Sequence, residues 1–244
     1  MSDLPGLNVP PVKPVPFRRN YIRQAVCELR FPTLLEMEAK PPTTLQGRLR
    51  KEYPLYQRIH SVNVGPGATE TTDRHLFKSK DKAWTVAFNP SSISLETEAY
   101  VDFDPFAGRL RRMIESAADL IDSDFFTRVG LRYINAIPTG SKRAELGEWI
   151  NPDLVTPLLS GAYGVVMQYS NEVRGTCVGG MYTFRHGFQP PDPGTTLEYV
   201  LDFDFYQESV AADEVRDLVK SFNEQCVSFF HWAVGPKTLQ TLNE

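Results

Sequence analysis

Four aspartates lie in two copies of one short motif. Glu98-Ala-Tyr-Val-Asp-Phe-Asp104 is matched, one hundred residues later, by Glu198-Tyr-Val-Leu-Asp-Phe-Asp204. Side chains two residues apart on a strand point to one face, so the two aspartates of each copy are expected to form a carboxylate pair. The four residues are Asp102, Asp104, Asp202 and Asp204. Gathered together they would suit a hard cation and a metal-dependent phosphoesterase, but helix capping and solvated strand ends are the favoured roles.

Arg132 is the second candidate, because it lies in the apolar segment Val129-Gly-Leu-Arg-Tyr-Ile-Asn135, which should form a central strand. A buried guanidinium needs a carboxylate partner or an anionic ligand. Three interpretations are open for this residue. It forms an ion pair with one of the repeat aspartates, it is exposed on the solvent face of the sheet, or it binds a ligand.

Basic residues form four loose clusters. They are Arg18, Arg19 and Arg23; Arg48, Arg50 and Lys51; Lys78, Lys80 and Lys82; and Arg109, Arg111 and Arg112. If the clusters shared a face, they would form a nucleic-acid site with Arg48, Lys51, Arg109 and Arg112 as contacts and with Tyr53, Tyr56 and Phe77 for stacking. The net charge of −4 favours solvated helix faces instead. Nucleic-acid binding is therefore an alternative, not the preferred function.

Motifs of the common enzyme classes are absent from the sequence. It contains no G-x-S-x-G, G-x-x-x-x-G-K-[ST] or G-x-G-x-x-G segment. The four histidines (His60, His75, His186 and His231) have no metal-ligand spacing and are interpreted as surface or interface residues. Among the three cysteines, Cys27 and Cys226 are expected to be buried thiols. We predict no catalytic residue, no bound metal and no cofactor, so the sequence favours a binding protein over an enzyme.

Size and composition indicate a globular protein. The chain has 244 residues, of which 41% are hydrophobic and 23% charged. Because the sequence shows no signal peptide, no membrane-spanning stretch and only a sparse, odd number of cysteines, we expect a cytoplasmic protein without a membrane partner.

The order of the elements predicts an α+β fold with antiparallel β-sheets, two long helices packed on one face and an internal strand–strand–helix pseudo-repeat. Residues 1–16 should form a Pro-rich extended arm, and residues 17–244 one domain of two related halves, about 17–140 and 141–244. Strands are expected at 25–31, 57–64, 74–79, 83–89, 92–103, 126–137, 163–170, 176–187 and 195–206. Helices are expected at 44–54, from an N-cap at Asp104 to 121, in two short pieces within 143–160, at 210–233 and after Pro236.

Four segments together resemble a known group of proteins. They are Asn20-Tyr-Ile-Arg-Gln-Ala-Val-Cys-Glu-Leu-Arg-Phe-Pro32, Lys51-Glu-Tyr-Pro54, Arg128-Val-Gly-Leu-Arg-Tyr-Ile-Asn135 and the Phe-rich C-terminal helix. In this combination they resemble a sporadically distributed family of bacterial proteins of about this length. The resemblance implies a scattered gene of the kind found on mobile elements or among phage-defence and toxin–antitoxin genes. It implies no mechanism and no catalytic residue.

These observations favour a non-enzymatic binding or assembly protein that recognises another protein or a second copy of itself. Aromatic residues are plentiful and open strand edges should be available for pairing, which is a common mode of recognition. Nucleic-acid binding through the basic clusters and a metal-dependent phosphoesterase are the alternatives.

Overall fold

The computed structural model describes residues 6–13, 17–65, 68–140, 143–190 and 195–244. These residues form an antiparallel sheet of nine strands and seven α-helices, a mixed α+β architecture. Within them no helix combines the length and the apolar character that a membrane crossing requires. Of the predicted Pro-rich arm, residues 1–5 and 14–16 lie outside the described residues.

The strands are β1 (Ile22–Arg30), β2 (Leu55–Gly65), β3 (Ala68–Lys78), β4 (Trp84–Asn89), β5 (Ser92–Thr97), β6 (Phe125–Pro138), β7 (Tyr169–Cys177), β8 (Gly180–Phe188) and β9 (Glu198–Ala211). The helices are α1 (Leu35–Ala39), α2 (Thr43–Leu49), α3 (Phe103–Ile121), α4 (Leu146–Trp149), α5 (Pro152–Leu159), α6 (Val215–Ala233) and α7 (Pro236–Asn243). A 3₁₀ turn at Arg143–Glu145 precedes α4.

The chain divides into two compact units. Unit 1 consists of Met1–Arg23, Arg132–Tyr206 and Lys220–Glu244, and unit 2 consists of Gln24–Leu131 and Gln207–Val219.

Unit 2 is built on the strand order β2-β3-β4-β5-β1. β1 alternates as its sequence predicts, since Ala25, Cys27 and Leu29 are all fully buried. Helix α3 contributes an apolar stripe at helical spacing, which consists of Phe106, Leu110, Met113, Ala117 and Ile121. The stripe belongs to the core of this unit, where the rings of Trp84 and Phe106 pack with their centroids 6.0 Å apart.

Unit 1 contains the strand order β9-β8-β7. Its core is aromatic: the ring of Phe184 lies 4.8 Å from that of Phe203 on β9 and 4.8 Å from that of Phe229 on α6. Tyr133 on β6 donates a hydrogen bond of 3.0 Å to Asn223 on α6. Both polar groups are buried, so this bond holds the helix in register with the strand without leaving an unpaired donor.

The two copies of the Asp-Phe-Asp motif have different local structures, so the prediction that both form a strand leading into a helix is wrong. In the first copy, residues 98–101 lie outside any strand, and α3 begins at Phe103 with Asp102, not Asp104, as its N-cap. In the second copy, residues 198–204 all lie within β9. Pro105 explains the difference, because a proline cannot donate to a sheet ladder but is well tolerated in the first turn of a helix.

The expected strands at 163–170 and 176–187 are misplaced. β7 starts only at Tyr169, and the residue pair Val178-Gly179 forms a two-residue turn into β8, with Cys177 opposite Gly180. Gly179, the second residue of this turn, has φ 81°, which a glycine adopts at little cost. Two other boundaries are confirmed: Asn151 caps α5 ahead of Pro152, and α7 follows Gly235.

Candidate functional site

A row of charged side chains crosses the strands of unit 1 on one face of the sheet. From β6, Arg132 donates through Nε and Nη2 to Oδ1 and Oδ2 of Asp202 on β9, both at 2.7 Å. Arg185 on β8 stands directly opposite Asp202 in the register, with Nη1 3.5 Å from Oδ2. Glu172 on β7 stands opposite Arg185 and accepts a hydrogen bond of 2.7 Å from its Nε. We call Arg132, Asp202, Arg185 and Glu172 the charged row, in which the sign alternates from strand to strand.

The pair of Arg132 and Asp202 is the most buried part of this row. The side chain of Asp202 is only 8% exposed, whereas that of Arg132 is 42% exposed. The hydrogen bonds that Arg132 donates to Asp202 are the main reason why the pKa of Arg132 is raised, and the nearby charge of Asp204 acts in the same direction. A bidentate pair of this geometry fixes both position and direction of the guanidinium. The carboxylate partner that the sequence left open for Arg132 is therefore the second-copy residue Asp202.

The first-copy aspartates have other surroundings. Asp102 accepts a hydrogen bond of 2.6 Å from the backbone N–H of Phe103, and Asp104 is exposed in the first turn of α3. Both positions suit a carboxylate, since the N-terminus of a helix carries partial positive charge. Throughout the described residues there is no group of three or more His, Cys, Asp or Glu side chains that could hold a metal ion.

Three of the predicted basic residues meet in unit 2 around one pocket. Arg48 and Lys51, at the end of α2, line a cavity of about 490 Å³ together with Arg112 of α3, and Tyr53 contributes an aromatic wall. We call this pocket the basic groove. The sequence alone could only make this meeting conditional on the two helices sharing a face.

Acidic neighbours offset most of the positive charge in the basic groove. Arg48 donates to Asp119 at 2.5 Å, and Nε of Arg112 lies 2.7 Å from Oε1 of Glu52. The fourth predicted residue, Arg109, lies over the ring of Trp84, with the guanidinium carbon 4.6 Å from the ring centroid. A ligand would have to compete with these contacts.

The outer edge of unit 1 is strand β7. It stands at one end of the strand order, so within the described chain no strand pairs with its side away from β8. Most of its residues are exposed, from Ser170 to Arg174. Several large apolar side chains are exposed in β7 and in the segments just before and after it. They are Leu159, Tyr163, Val165, Met167, Val173, Val178 and Met181. An uncovered strand edge next to exposed apolar groups is typical of a recognition surface.

Two histidines are buried, which corrects their interpretation as surface or interface residues. His186 is 4% exposed and its Nδ1 lies 2.7 Å from the hydroxyl of Tyr199. Burial lowers the pKa of His186 to about 4, so the ring is neutral at physiological pH. His75 is paired in the same way with the hydroxyl of Tyr56 at 2.9 Å, and burial is the main cause that lowers its pKa.

Sequence reasoning missed the outer members of the charged row, Arg185 and Glu172, and with them the edge strand. A signal was present in Glu172-Val-Arg174, where opposite charges two residues apart would lie on one face of a strand. In the structure Arg174 does donate to Glu172 at 2.8 Å. The apolar pattern predicts strands at 163–170 and 176–187, so Glu172 and Arg174 fall between them.

Comparison of the chain with protein-family models finds no matching family, and comparison with curated proteins finds no match. The resemblance to a sporadic bacterial family therefore stays a prediction.

Proposed function

We propose that the protein is a non-enzymatic, cytoplasmic binding and assembly protein that recognises another protein, or a second copy of itself, through strand β7. Its gene would belong to a bacterial cluster of the phage-defence or toxin–antitoxin kind, as the sequence resemblance implies. The observation that carries the proposal is the uncovered edge of β7 at the end of the sheet order. A strand added to this edge would satisfy the outward backbone N–H and C=O groups of β7.

The side chains of β7 suit this mode of recognition. Val173, at the middle of the strand, is 42% exposed, and a cross-strand neighbour would cover it. Natural edges are commonly protected by charged side chains, proline or a bulge; β7 contains no proline or lysine, and its two charged residues, Glu172 and Arg174, pair with each other. The edge is therefore suited to pairing.

Replacing Val173 with lysine is expected to reduce capture of the partner by about tenfold or more, because a lysine on an edge strand opposes addition of another strand. The measurement is affinity capture from a lysate of the native host, with quantitative mass spectrometry of the proteins retained by each variant. Circular dichroism would establish that the variant folds.

Leu35→Lys is the matched control, because Leu35 is 74% exposed on α1 in the other unit. It places the same charge on an apolar position that is even more exposed than Val173 and is expected to leave capture unchanged. Equal capture by the wild type and Val173→Lys would refute recognition through β7.

Nucleic-acid binding is the second candidate function, and the specific observation in its favour is the meeting of Arg48, Lys51 and Arg112 around the basic groove. If the groove holds a single strand, Lys51→Glu is expected to weaken binding and to reduce the slope of log affinity against log salt by about one. A gel-shift titration with labelled single-stranded DNA at several salt concentrations measures both.

Arg216→Glu is the control for net charge, since Arg216 is exposed on α6 and does not line the groove. Equal losses of DNA affinity in both variants would mean that net charge attracts the DNA non-specifically. The absence of any gel retardation at low salt would exclude nucleic-acid binding. The phosphoesterase alternative stays a prediction.

We also propose that the chain contains an internal pseudo-repeat, with its two long helices on one face of the sheet. Two features support it. In each half, a pair of consecutive strands precedes a long helix, as β4-β5-α3 and β8-β9-α6, and both helices have 19 residues. The different local structures of the Asp-Phe-Asp copies limit the repeat to this order of elements.

A further inference from the structure

We propose that the strand which pairs with β7 is β7 of a second copy of this chain, antiparallel and related by a two-fold axis at Val173. This inference rests on the proposed function, which leaves the partner open, and it commits to one occupant of the edge. It follows from the sequence of β7 read in both directions from its centre.

A two-fold axis perpendicular to a sheet keeps each side chain on its own face. Residues directly opposite each other in an antiparallel pair share a face, and successive residues of one strand alternate between faces. The axis must therefore pass through a residue position, where that residue stands opposite its own copy, and not between two residues. β7 runs Tyr169–Cys177, so its middle residue is Val173. An axis at Val173 gives the longest overlap that this strand allows.

Charge selects the same register. With the axis at Val173, Glu172 stands opposite the partner's Arg174, and the symmetry makes this pair twice. An axis moved by one residue in either direction would place Glu172 or Arg174 opposite its own copy. Like charges directly opposite each other destabilise a strand pair, and opposite charges stabilise it. β7 is therefore complementary to itself in one register.

The opposite face of the strand supports the same pairing. Val173 would meet the partner's Val173, which removes two half-exposed apolar side chains from water. On either side of it, Asn171 would stand opposite the partner's Gly175, where the space beside the glycine is occupied by the ring of Tyr182 of the same chain. The proposal depends only on these five central residues, 171–175.

The charged row would continue across the axis. Within one chain its sign alternates as Arg132, Asp202, Arg185 and Glu172. The partner's Arg174 would come next, with the positive sign that the alternation requires. Glu172 already accepts hydrogen bonds from Arg174 and Arg185 of its own chain, so the new contact exchanges one arginine for an equivalent one.

The expected affinity is modest. One pair of nine-residue strands buries less surface than the ~1,600 Å² of a standard stable complex. We therefore expect a dimer with a dissociation constant in the micromolar range.

Charge reversal at the two positions tests the register by analytical ultracentrifugation. Glu172→Arg and Arg174→Glu would each place like charges opposite each other twice, so each is expected to raise the dissociation constant at least about tenfold. An equimolar mixture of the two variants is expected to form a heterodimer, because both charge pairs across the axis are then complementary again. The double variant, with both changes in one chain, is expected to recover the wild-type constant.

A strictly monomeric wild type at about 100 µM would overturn the proposal. So would a dimer that neither reversal weakens, or variants that do not recover when mixed, because the interface would then lie elsewhere. Recovery in the mixture cannot come from a change in folding, since each variant has the same intrachain contacts alone and mixed.

Disulfide trapping tests the same register with the native charges. In Val173→Cys, the two thiols would face each other across the axis at a Cα separation of about 4.5 to 5.5 Å, which a disulfide accepts. Oxidised glutathione is expected to give a covalent dimer that resists denaturation without reductant. Met181→Cys, on the neighbouring strand with similar exposure, is the control and is expected to give no covalent dimer. The three native cysteines are buried and should not react. Equal cross-linking of both variants would overturn the proposal.

Failure of this inference differs from failure of the proposed function. If Val173→Lys abolishes capture of another protein while the wild type stays monomeric, β7 recognises a different chain and only the self-pairing is wrong. If capture is unaffected as well, recognition through β7 is wrong altogether.

Discussion

Replacing Arg132 with leucine is expected to lower the free energy of unfolding by about 2 to 3 kcal/mol. The change leaves the carboxylate of Asp202, whose side chain is 8% exposed, without its bidentate partner. A fully buried pair broken in this way loses about 3 to 5 kcal/mol. The smaller value is expected here because Arg132 is half exposed and Arg185 still lies 3.5 Å from the same carboxylate.

A double-mutant cycle separates the pair from the packing around it. Chemical denaturation of Arg132→Leu, Asp202→Leu and the double variant would give the coupling free energy directly. The double variant is expected to be more stable than Arg132→Leu, because no buried charge is left unpaired. Strictly additive losses would contradict an energetic coupling between the two side chains.

Arg174→Leu provides the comparison with an exposed ion pair. Its side chain is 67% exposed and lies 2.8 Å from Glu172. Exposed pairs are worth about 0 to 1 kcal/mol, so this variant is expected to change stability by no more than that. A loss as large as that of Arg132→Leu would mean that burial does not distinguish the two pairs.

The fold could be predicted where the apolar periodicity of a segment agrees with the burial of its residues in the structure. β1 and α3 have apolar residues at the periods of a strand and of a helix, and the structure buries those residues. The same agreement holds for the capped start of α5 at Asn151. Here the physical cause of the local structure is contained in the segment itself.

β7 could not be placed because an edge strand lacks that agreement. Both of its faces are largely polar or exposed, so no apolar alternation marks it. The more apolar stretch before it, residues 163–168, is not a strand at all. Hydrophobicity alone therefore predicts the strand at the apolar residues before β7 and not at the residues that pair with β8.

The repeated Asp-Phe-Asp motif shows the same limit at the scale of three residues. Asp104 is followed by Pro105 and Asp204 by Phe205, and these neighbours favour a helix start and a strand interior respectively. For Arg132, the cost of burying a guanidinium predicted an ion pair with a repeat aspartate only as one of three interpretations. The identity of the partner could not be predicted, because strand register over 70 residues of sequence selects Asp202.

The burial of His186 has a signal in the sequence of β8. Tyr182, Phe184 and Phe188 alternate with it along β8, which indicates that all four side chains point to one apolar face. In the structure the ring of His186 stacks on that of Phe184, with their centroids 4.9 Å apart. A histidine in such a position should be neutral, and this has a measurable consequence for stability.

Acidification is expected to destabilise the protein by about 2 kcal/mol between about pH 7 and about pH 5 through His186. Its pKa is lowered from 6.5 to about 4 by burial. In the window between these values the unfolded chain binds a proton that the folded chain does not, so stability decreases as the pH falls. The contribution is fully present above about pH 6.5 and is lost progressively down to about pH 4. His75, whose pKa is also lowered, acts in the same direction.

The double variant His186→Phe/Tyr199→Phe tests this assignment, because it removes the titrating ring and the hydroxyl that lies 2.7 Å from it. Urea denaturation across the pH range is expected to show a pH dependence reduced by about 2 kcal/mol relative to the wild type. Changing His186 alone would leave the buried hydroxyl of Tyr199 unpaired and would lower stability at every pH. Tyr199→Phe alone is the control, because it removes the same hydroxyl but retains the titrating ring of His186, and it should keep the wild-type pH dependence. If the double variant keeps that dependence as well, a group other than His186 causes the loss of stability in acid.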